Sequence, residues 1–415
     1  MKKIMLLSFL CFSIVMAGTV GYGWSVNPDV KKAVEEATKM ISTKMKLDEI
    51  EFLFVFSTVD YGPEKVYSEI RKKIKKAKIY GGTSCSAVMT PDGFHTSKHG
   101  AIAMMAIKSE KIKFTTGYAD LDKMDAFEAG KTAISMATKE RGQPSLVFIT
   151  AAPGKEEDII RGIESVIGKT IPIIGGSSAD NDITGKWAQF TDVGVLKNGV
   201  SLACIYTDKK IGWAFEAGYK TGIAQGKVTS AKGRTIYTID NKPAAEVYNF
   251  WLGGKLDDVL QTGGNVLERT TFHPLAKIVK GPRGEVYFIS IHPLSINLPE
   301  KSLTVFTEIN EGEELTLFEG DWEILLRRAA TTPRVAYIRG DFTSPKEIEF
   351  GIFTYCAGTM LAIPEKERPK MVDLVKSVVG NAPFLGTFTF GEQGFLPAVG
   401  NIHGNLVSSM VLVRE

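Results

Sequence analysis

Cysteine and histidine are scarce in this chain, four and five among 415 residues, and the scarcity removes whole classes of protein. A disulfide-built scaffold needs a dense and even set of cysteines. With Cys11 set aside inside an apolar N-terminal run, Cys85, Cys204 and Cys356 leave an odd number. Cys204 sits in Leu202-Ala203-Cys204-Ile205-Tyr206 and reads as a buried small hydrophobe. None of His95, His99, His273, His292 and His403 stands at metal-binding spacing from a cysteine, so neither a structural zinc nor another cofactor is expected. Charge of one sign is lacking as well, since 50 basic against 47 acidic side chains give a net +3. No basic stripe interleaved with aromatics marks a nucleic-acid surface. The one dense run, Arg71-Lys72-Lys73-Ile74-Lys75-Lys76-Ala77-Lys78, spaces its apolar residues helically and reads as a solvated helix face. Walker-type and Gly-x-Gly-x-x-Gly phosphate signatures are missing at the glycine turns, and no low-complexity segment occurs.

A long hydrophobic run occurs only at the start. Met1-Lys2-Lys3 supplies positive charge, Ile4 to Met16 is almost wholly apolar, and Ala17, Gly18, Gly21 and Gly23 follow. That order predicts a secretory signal peptide over residues 1–23, cleaved after Ala17 or Gly23, and hence an exported protein, periplasmic or extracellular. The alternative is an uncleaved anchor, the one expected route to a membrane, although the stretch is short beside the roughly 20 residues of a spanning helix.

What the rest contains is a repeat. Phe52 to Phe56, a helix from Pro63 to Ala77, the strand Lys78-Ile79-Tyr80-Gly81-Gly82-Thr83-Ser84-Cys85 and a closing strand Ala101 to Ile107 form one copy. Leu146 to Ile149, a helix from Glu156 to Gly168, Ile171 to Ser178 and Val200 to Tyr206 form a second. A looser third runs through Phe350 to Tyr355, Pro369 to Val379, Phe384 to Glu392 and Leu406 to Val413. Such units cannot bury their apolar strands alone and must share sheets and core. The expected fold class is α/β (mixed α+β), two domains of mixed sheets flanked by helices and built from strand-helix-strand-strand units. Residues 24–220 hold two copies and residues 221–415 the third. Between them lie short β-like runs such as Arg234 to Ile239 and Val286 to Ile291, and a helix is expected over Glu319 to Ala330.

Where a buried strand breaks at Gly-Gly before hydroxyl residues, its N–H groups can face a small anion. The richest break is Gly175-Gly176-Ser177-Ser178-Ala179-Asp180-Asn181-Asp182, with acids and an amide beside the hydroxyls. The alternative is a turn whose glycines only let strand and helix pack. The third copy offers Glu392, Gln393, His403 and Asn405 on two neighbouring segments, which could surround a polar ligand or satisfy one another.

These segments resemble the FIST family, the F-box and intracellular signal transduction proteins. Ile173 to Asn181 is similar to its Gly-Gly-Ser-Ala-small-Asp signature. Ile309-Asn310-Glu311-Gly312-Glu313, Thr354-Tyr355-Cys356, Phe390-Gly391-Glu392 and Ile402-His403-Gly404-Asn405 resemble its carboxyl-terminal domain. The resemblance implies a FIST N domain followed by a FIST C domain, and a sensory module that binds a small polar metabolite such as an amino acid. It brings no catalytic residue, and any output partner would be a separate protein. The ligand site is expected between the domains, from Gly175, Gly176, Ser177, Ser178, Asp180 and Asn181 on one side and Cys356, Glu392, Gln393, His403 and Asn405 on the other. Two alternatives stand beside it: a cysteine-dependent hydrolase or transferase using Cys85 or Cys356 with His403, and a structural subunit of an envelope complex.

Overall fold

The computed structural model describes residues 18–414, so the apolar run Ile4 to Met16 lies outside the described residues. The first strand, β1 (Thr19–Ser25), pairs along its whole length with β6 (Ile102–Lys108). Residues 19–23, expected to precede the fold, are therefore part of it. Gly23 allows this, because a Cβ there would overlap the carbonyl oxygen of Ala37 on helix α1 (Val30–Ser42).

The three copies form three sheets of the same plan. In the first, β1, β6, β2 (Phe52–Ser57) and β3 (Lys78–Thr83) lie side by side, with β2 and β3 parallel across α2 (Pro63–Lys73). In the second, β7 (Lys113–Asp120), β12 (Gly199–Tyr206), β8 (Leu146–Ala151) and β9 (Ile173–Gly176) repeat that order around α3 (Ala126–Thr138) and α4 (Glu156–Ile167). In the third they are β13 (Gly212–Glu216), β18 (Ser408–Val413), β14 (Phe350–Cys356) and β15 (Phe384–Thr389), around α5 (Trp322–Arg339), α6 (Ala357–Ala362) and α7 (Lys370–Val379). The pairing sharpens the repeat: Leu53 to Gly81 and Val147 to Gly175 stand in the same register, and Gly351 to Gly386 holds the extra residues of α6.

Each copy completes its neighbour. The hairpin β4–β5 (Ala87–Thr90, Gly93–Thr96) of the first adds to β15 of the third; β10–β11 (Gln189–Phe190, Val195–Leu196) of the second adds to β3; and β16–β17 (Glu392–Leu396, Gly400–Gly404) of the third adds to β9. Beyond the strand ends three backbone bonds close the same circle: Cys85 N–H to Phe388 O at 2.9 Å, Ala179 N–H to Thr83 O at 2.9 Å, and Phe390 N–H to Ser177 O at 3.0 Å. The copies thus form a closed ring with an approximate three-fold arrangement. The sheets face inward on a shared core in which the Phe54 ring lies 5.3 Å from Phe148 and 6.0 Å from Phe350, one aromatic from each copy. Helices cover the outer faces, which is why β2, β8 and β14 are buried on both sides and read as unbroken apolar runs.

The third copy already opens at β13, before the boundary expected near Thr221. Between β13 and α5 an insert folds into its own nine-stranded sheet, whose long strand Lys220–Lys232 pairs with Glu314–Glu319 and Thr235–Ile239 around a separate apolar core. Helix α5 runs on to Arg339 through Pro333, past the Ala330 end expected from the sequence. Its buried face packs on β13 and β18, and that packing outweighs the hydrogen bond lost at proline.

Candidate functional site

The glycine pairs serve packing. A Cβ at Gly175 would overlap the carbonyl oxygen of Ile149, and one at Gly176 would sit 2.6 Å from the Thr389 hydroxyl. The N–H groups expected to face an anion are engaged within the ring: Ser177 N–H donates to Gly391 O at 2.9 Å, and Ser178 N–H to Ala151 O at 2.8 Å. The Ser178 hydroxyl turns inward to Thr150 Oγ1 at 3.0 Å, beside a cavity of about 10 Å³ on the ring's axis, room for no more than a water.

The expected site residues divide into three groups. Asp180 folds its own loop, accepting from the N–H groups of Ile183 at 2.6 Å, Thr184 at 3.0 Å and Lys186 at 2.8 Å. Asn181 turns to the first copy, accepting from Ser86 N–H at 2.8 Å and donating to Asp60 at 3.0 Å. Neither reaches His403 by a hydrogen bond.

The second group does gather. The Ser177 hydroxyl donates to Glu156 Oε1 at 2.8 Å and accepts from Gln393 Nε2 at 3.3 Å; Gln393 Nε2 also lies 3.3 Å from His403 Nδ1. His403 Nε2 is 3.4 Å from the Asn405 amide and 4.0 Å from Glu156 Oε2. Here α4 begins, and its first turn carries Glu156, Glu157 and Asp158, acids favoured at a helix N-terminus. Arg234 of the insert reaches both Glu156 and Glu157, at 2.6 and 2.7 Å. Burial alone would raise the Glu157 carboxyl, but the charges of His403 and Arg234 outweigh it and bring it down to about 2; Glu156, 2% exposed, is lowered under the same opposing influences. Asn405 is the joint: its Oδ1 accepts from Thr307 Oγ1 at 2.7 Å and His292 N–H at 3.3 Å, and its own N–H donates to Ser290 O at 3.0 Å, all on the insert. Gln393 Oε1 is buried with no hydrogen-bond partner among the described residues.

The third group is Cys356 and Glu392, beside Arg328 and Tyr355. Glu392 accepts from Thr389 Oγ1 at 2.8 Å and Val407 N–H at 3.1 Å, and burial pushes its carboxyl up to about 8. Arg328, 1% exposed, donates to Ala217 O at 2.7 Å and lies 4.8 Å from the Tyr355 ring. Burial pushes the thiols of Cys85 and Cys356 up to about 11 and about 12, and neither makes a hydrogen bond to a histidine among the described residues. A nucleophilic thiolate needs the opposite environment.

Sequence reasoning reached Ser177, Gln393, His403 and Asn405 and missed Glu156, Glu157, Arg234 and Thr307. The acidic first turn of α4 was a visible signal for the glutamates. Arg234 follows Gly233 at the start of an ordinary strand, and nothing local marks it.

Among proteins compared, the FIST N domain matches residues 51–242 and the FIST C domain matches residues 244–395. The junction between those two spans falls inside the insert. An uncharacterized protein of Methanocaldococcus jannaschii is 24% identical over 188 residues, 44% of this chain and 34% of that protein, so the match spans about a third of the relative's length. Of solved structures, cyanuric acid hydrolase from A. caulinodans aligns at TM-score 0.25 and 12% identity over 46% of this chain and 72% of that one. A second cyanuric acid hydrolase structure aligns at TM-score 0.31 and 10% identity, over 96% and 100%. The two domain matches follow one another along the ring and the insert, and the chain belongs to the FIST family, whose domains are sensory domains of signal transduction.

Proposed function

We propose that this chain is an exported sensor that binds a small polar metabolite, such as an amino acid, where the insert meets the second and third copies of the ring. The observation that carries the reading is the buried cluster at that junction: two carboxylates, a guanidinium and a histidine, with Gln393 Oε1 left without a partner among the described residues. A buried amide oxygen costs about 1–3 kcal/mol unless something donates to it. An ammonium group suits Glu156 and Glu157, and a carboxylate suits Arg234 and His403. In the closed arrangement Arg234 occupies the place a ligand cation would take. Loading then requires the insert to lift from Asn405 and the start of α4, and that displacement is the signal a separate partner protein would read.

Export rests on the leader-like N-terminus. Cleavage after Ala17 leaves β1 whole, whereas cleavage after Gly23 would strip most of it from β6. The mature protein should therefore begin at Gly18, which intact mass of the secreted product would report.

Calorimetric titration of the mature protein with amino acids and organic acids tests the binding. A ligand should raise the melting temperature, and both Arg234→Met and His403→Ala should weaken it at least about tenfold, the loss of one charge-assisted bond. Unchanged affinity in both variants would sink the reading.

A further inference from the structure

We infer that the end of the ring at which β1 begins is a docking surface for an anionic lipid bilayer, held there by basic side chains of the first copy. Strand direction fixes what lies at that end. The starts of β1, β2 and β3 come together there, since Thr19 pairs with Lys108, and Phe52 with both Ile107 and Lys78. Helices α1 and α2 return the chain to the same end, so the turns after them, and the turn from β6 to β7, emerge beside those starts.

These turns are basic. Lys44 follows α1, Lys75 and Lys76 stand between α2 and β3, and Lys111 stands between β6 and β7, all four exposed. A Cβ on Gly21 would stand 3.3 Å from that of Lys44, which puts this lysine against the start of β1. Half-buried Lys78 and exposed Arg141 line one cleft at the border with the second copy. None of these six has a carboxylate partner among the described residues; Lys78 donates to Phe114 O at 3.4 Å, and Arg141 lies 6.0 Å from the Tyr206 ring. By contrast, Lys108 and Lys113 are taken by Glu49 and Glu51, at 2.9 and 3.3 Å. The acids beside them without a basic partner are Asp48, Glu110 and Glu140, half as many. The surplus equals the net +3 of the whole chain.

Local structure does not ask for these charges. Cations in the last turn of a helix complement its dipole, which accounts for Arg71, Lys72 and Lys73. Lys75, Lys76, Lys78 and Lys111 lie beyond any helix. Strand register places Lys78 where the second copy has Pro172 and the third has Pro383, so the basic character belongs to the first copy. This is also the copy joined to the apolar run Ile4 to Met16, which ends two residues ahead of β1. Such a run placed in a bilayer holds this end, and no other, at the lipid surface, where basic side chains meet anionic headgroups. Nucleic acid fits less well, because the aromatic rings at this end, Phe52 and Phe114, are buried and offer a base no stacking face.

The test uses the chain from Gly18 onward, the folded unit described above, so that the apolar run cannot itself drive binding. At low salt it should co-sediment with vesicles of equal parts phosphatidylcholine and phosphatidylglycerol, and not with vesicles of phosphatidylcholine alone. About 1 M salt, which screens charges within about 3 Å, should release it. Lys75→Gln, Lys76→Gln and Lys111→Gln combined should weaken the binding about a hundredfold, about fivefold for each lysine. Lys65→Gln, Lys98→Gln and Lys123→Gln combined make the same change of net charge at the other end, at the start of α2, ahead of β6 and after β7, and should bind as wild type does. His403→Ala should also bind vesicles normally, so failure here and failure of the junction site are separable. Equal loss in the two triple variants overturns the inference, because net charge alone would then suffice. So does failure to bind the anionic vesicles, or tighter binding to duplex DNA than to them at the same salt.

Discussion

Replacing Arg234 with methionine keeps an apolar stem and removes the charge that holds the insert to the ring. The side chain is 21% exposed, and the carboxylates it leaves behind are 2% and 14% exposed. Removing one partner of such a pair costs about 3–5 kcal/mol, because the remaining charges stay buried. The pH linkage gives an upper bound on the Glu157 part, because His403 and the Glu308 N–H lower that carboxyl alongside Arg234. Glu157 falls from 4.5 to about 2 on folding, and at about 1.4 kcal/mol per unit this is roughly 3 kcal/mol. A carboxyl lowered on folding contributes stability above its unfolded value and loses it as pH falls through the folded value. The contribution is therefore whole at pH 7, starts to decline near pH 4.5 and is nearly gone by pH 2. With an unfolding entropy of about 2.1 cal/mol/K per residue, the variant should melt about 3–6 °C lower at pH 7 when the chain unfolds as one unit. The gap should shrink by about half near pH 3, where wild type has lost much of the same term. Differential scanning calorimetry from pH 7 to pH 3 reads both quantities. A gap that stays constant across that range would refute the reasoning, as would a gap below about 1 °C at pH 7.

Glu392 should show the opposite dependence: its folded value is raised from 4.5 to about 8, so its stabilising protonated form is complete below about pH 4.5 and is lost as pH rises through 8. Glu392→Gln should match wild type near pH 4, exceed it by roughly 2 kcal/mol near pH 6 and by roughly 4–5 kcal/mol at pH 9, read by urea denaturation; a variant weaker at both pH 6 and pH 9 contradicts the assignment. Cys85, Cys204 and Cys356, all buried with raised thiols, should resist iodoacetamide at pH 8 in the native protein and react in urea, with peptide mass mapping as the readout. Phe54→Ala, at the meeting of the three sheets, should cost about 3–5 kcal/mol, and a loss under about 1 kcal/mol would show that the shared core is not continuous.

Much of the ring was legible because its signals are local. Apolar runs buried on both faces, Asp29 and Asp125 accepting from the N–H groups of Lys32 and Glu128 at the helix starts, and glycines where a strand crosses a carbonyl all write themselves into short stretches. The chemistry of the turns was less legible. Gly175 and Gly176 suggested exposed N–H groups, but whether those groups are free depends on residue 391 and on the edge of another copy. Asp180 and Asn181 looked like ligand groups because their polarity is visible, whereas their partners, a loop of their own and Asp60, are not.

The sequence by itself determined the repeat and its strand and helix order, since periodicity and glycine spacing are properties of neighbouring residues, and its motifs carried the resemblance to the FIST family that the domain matches show. Tertiary structure alone decided that each copy lends a hairpin to the next. It also decided that the third copy is interrupted by a separate sheet, and that Arg234 closes on two acids 77 and 78 positions away. The physical reason is the same in each case. An unpaired strand edge and a buried carboxylate both demand a partner, but neither specifies from the local chain which distant residue will supply it.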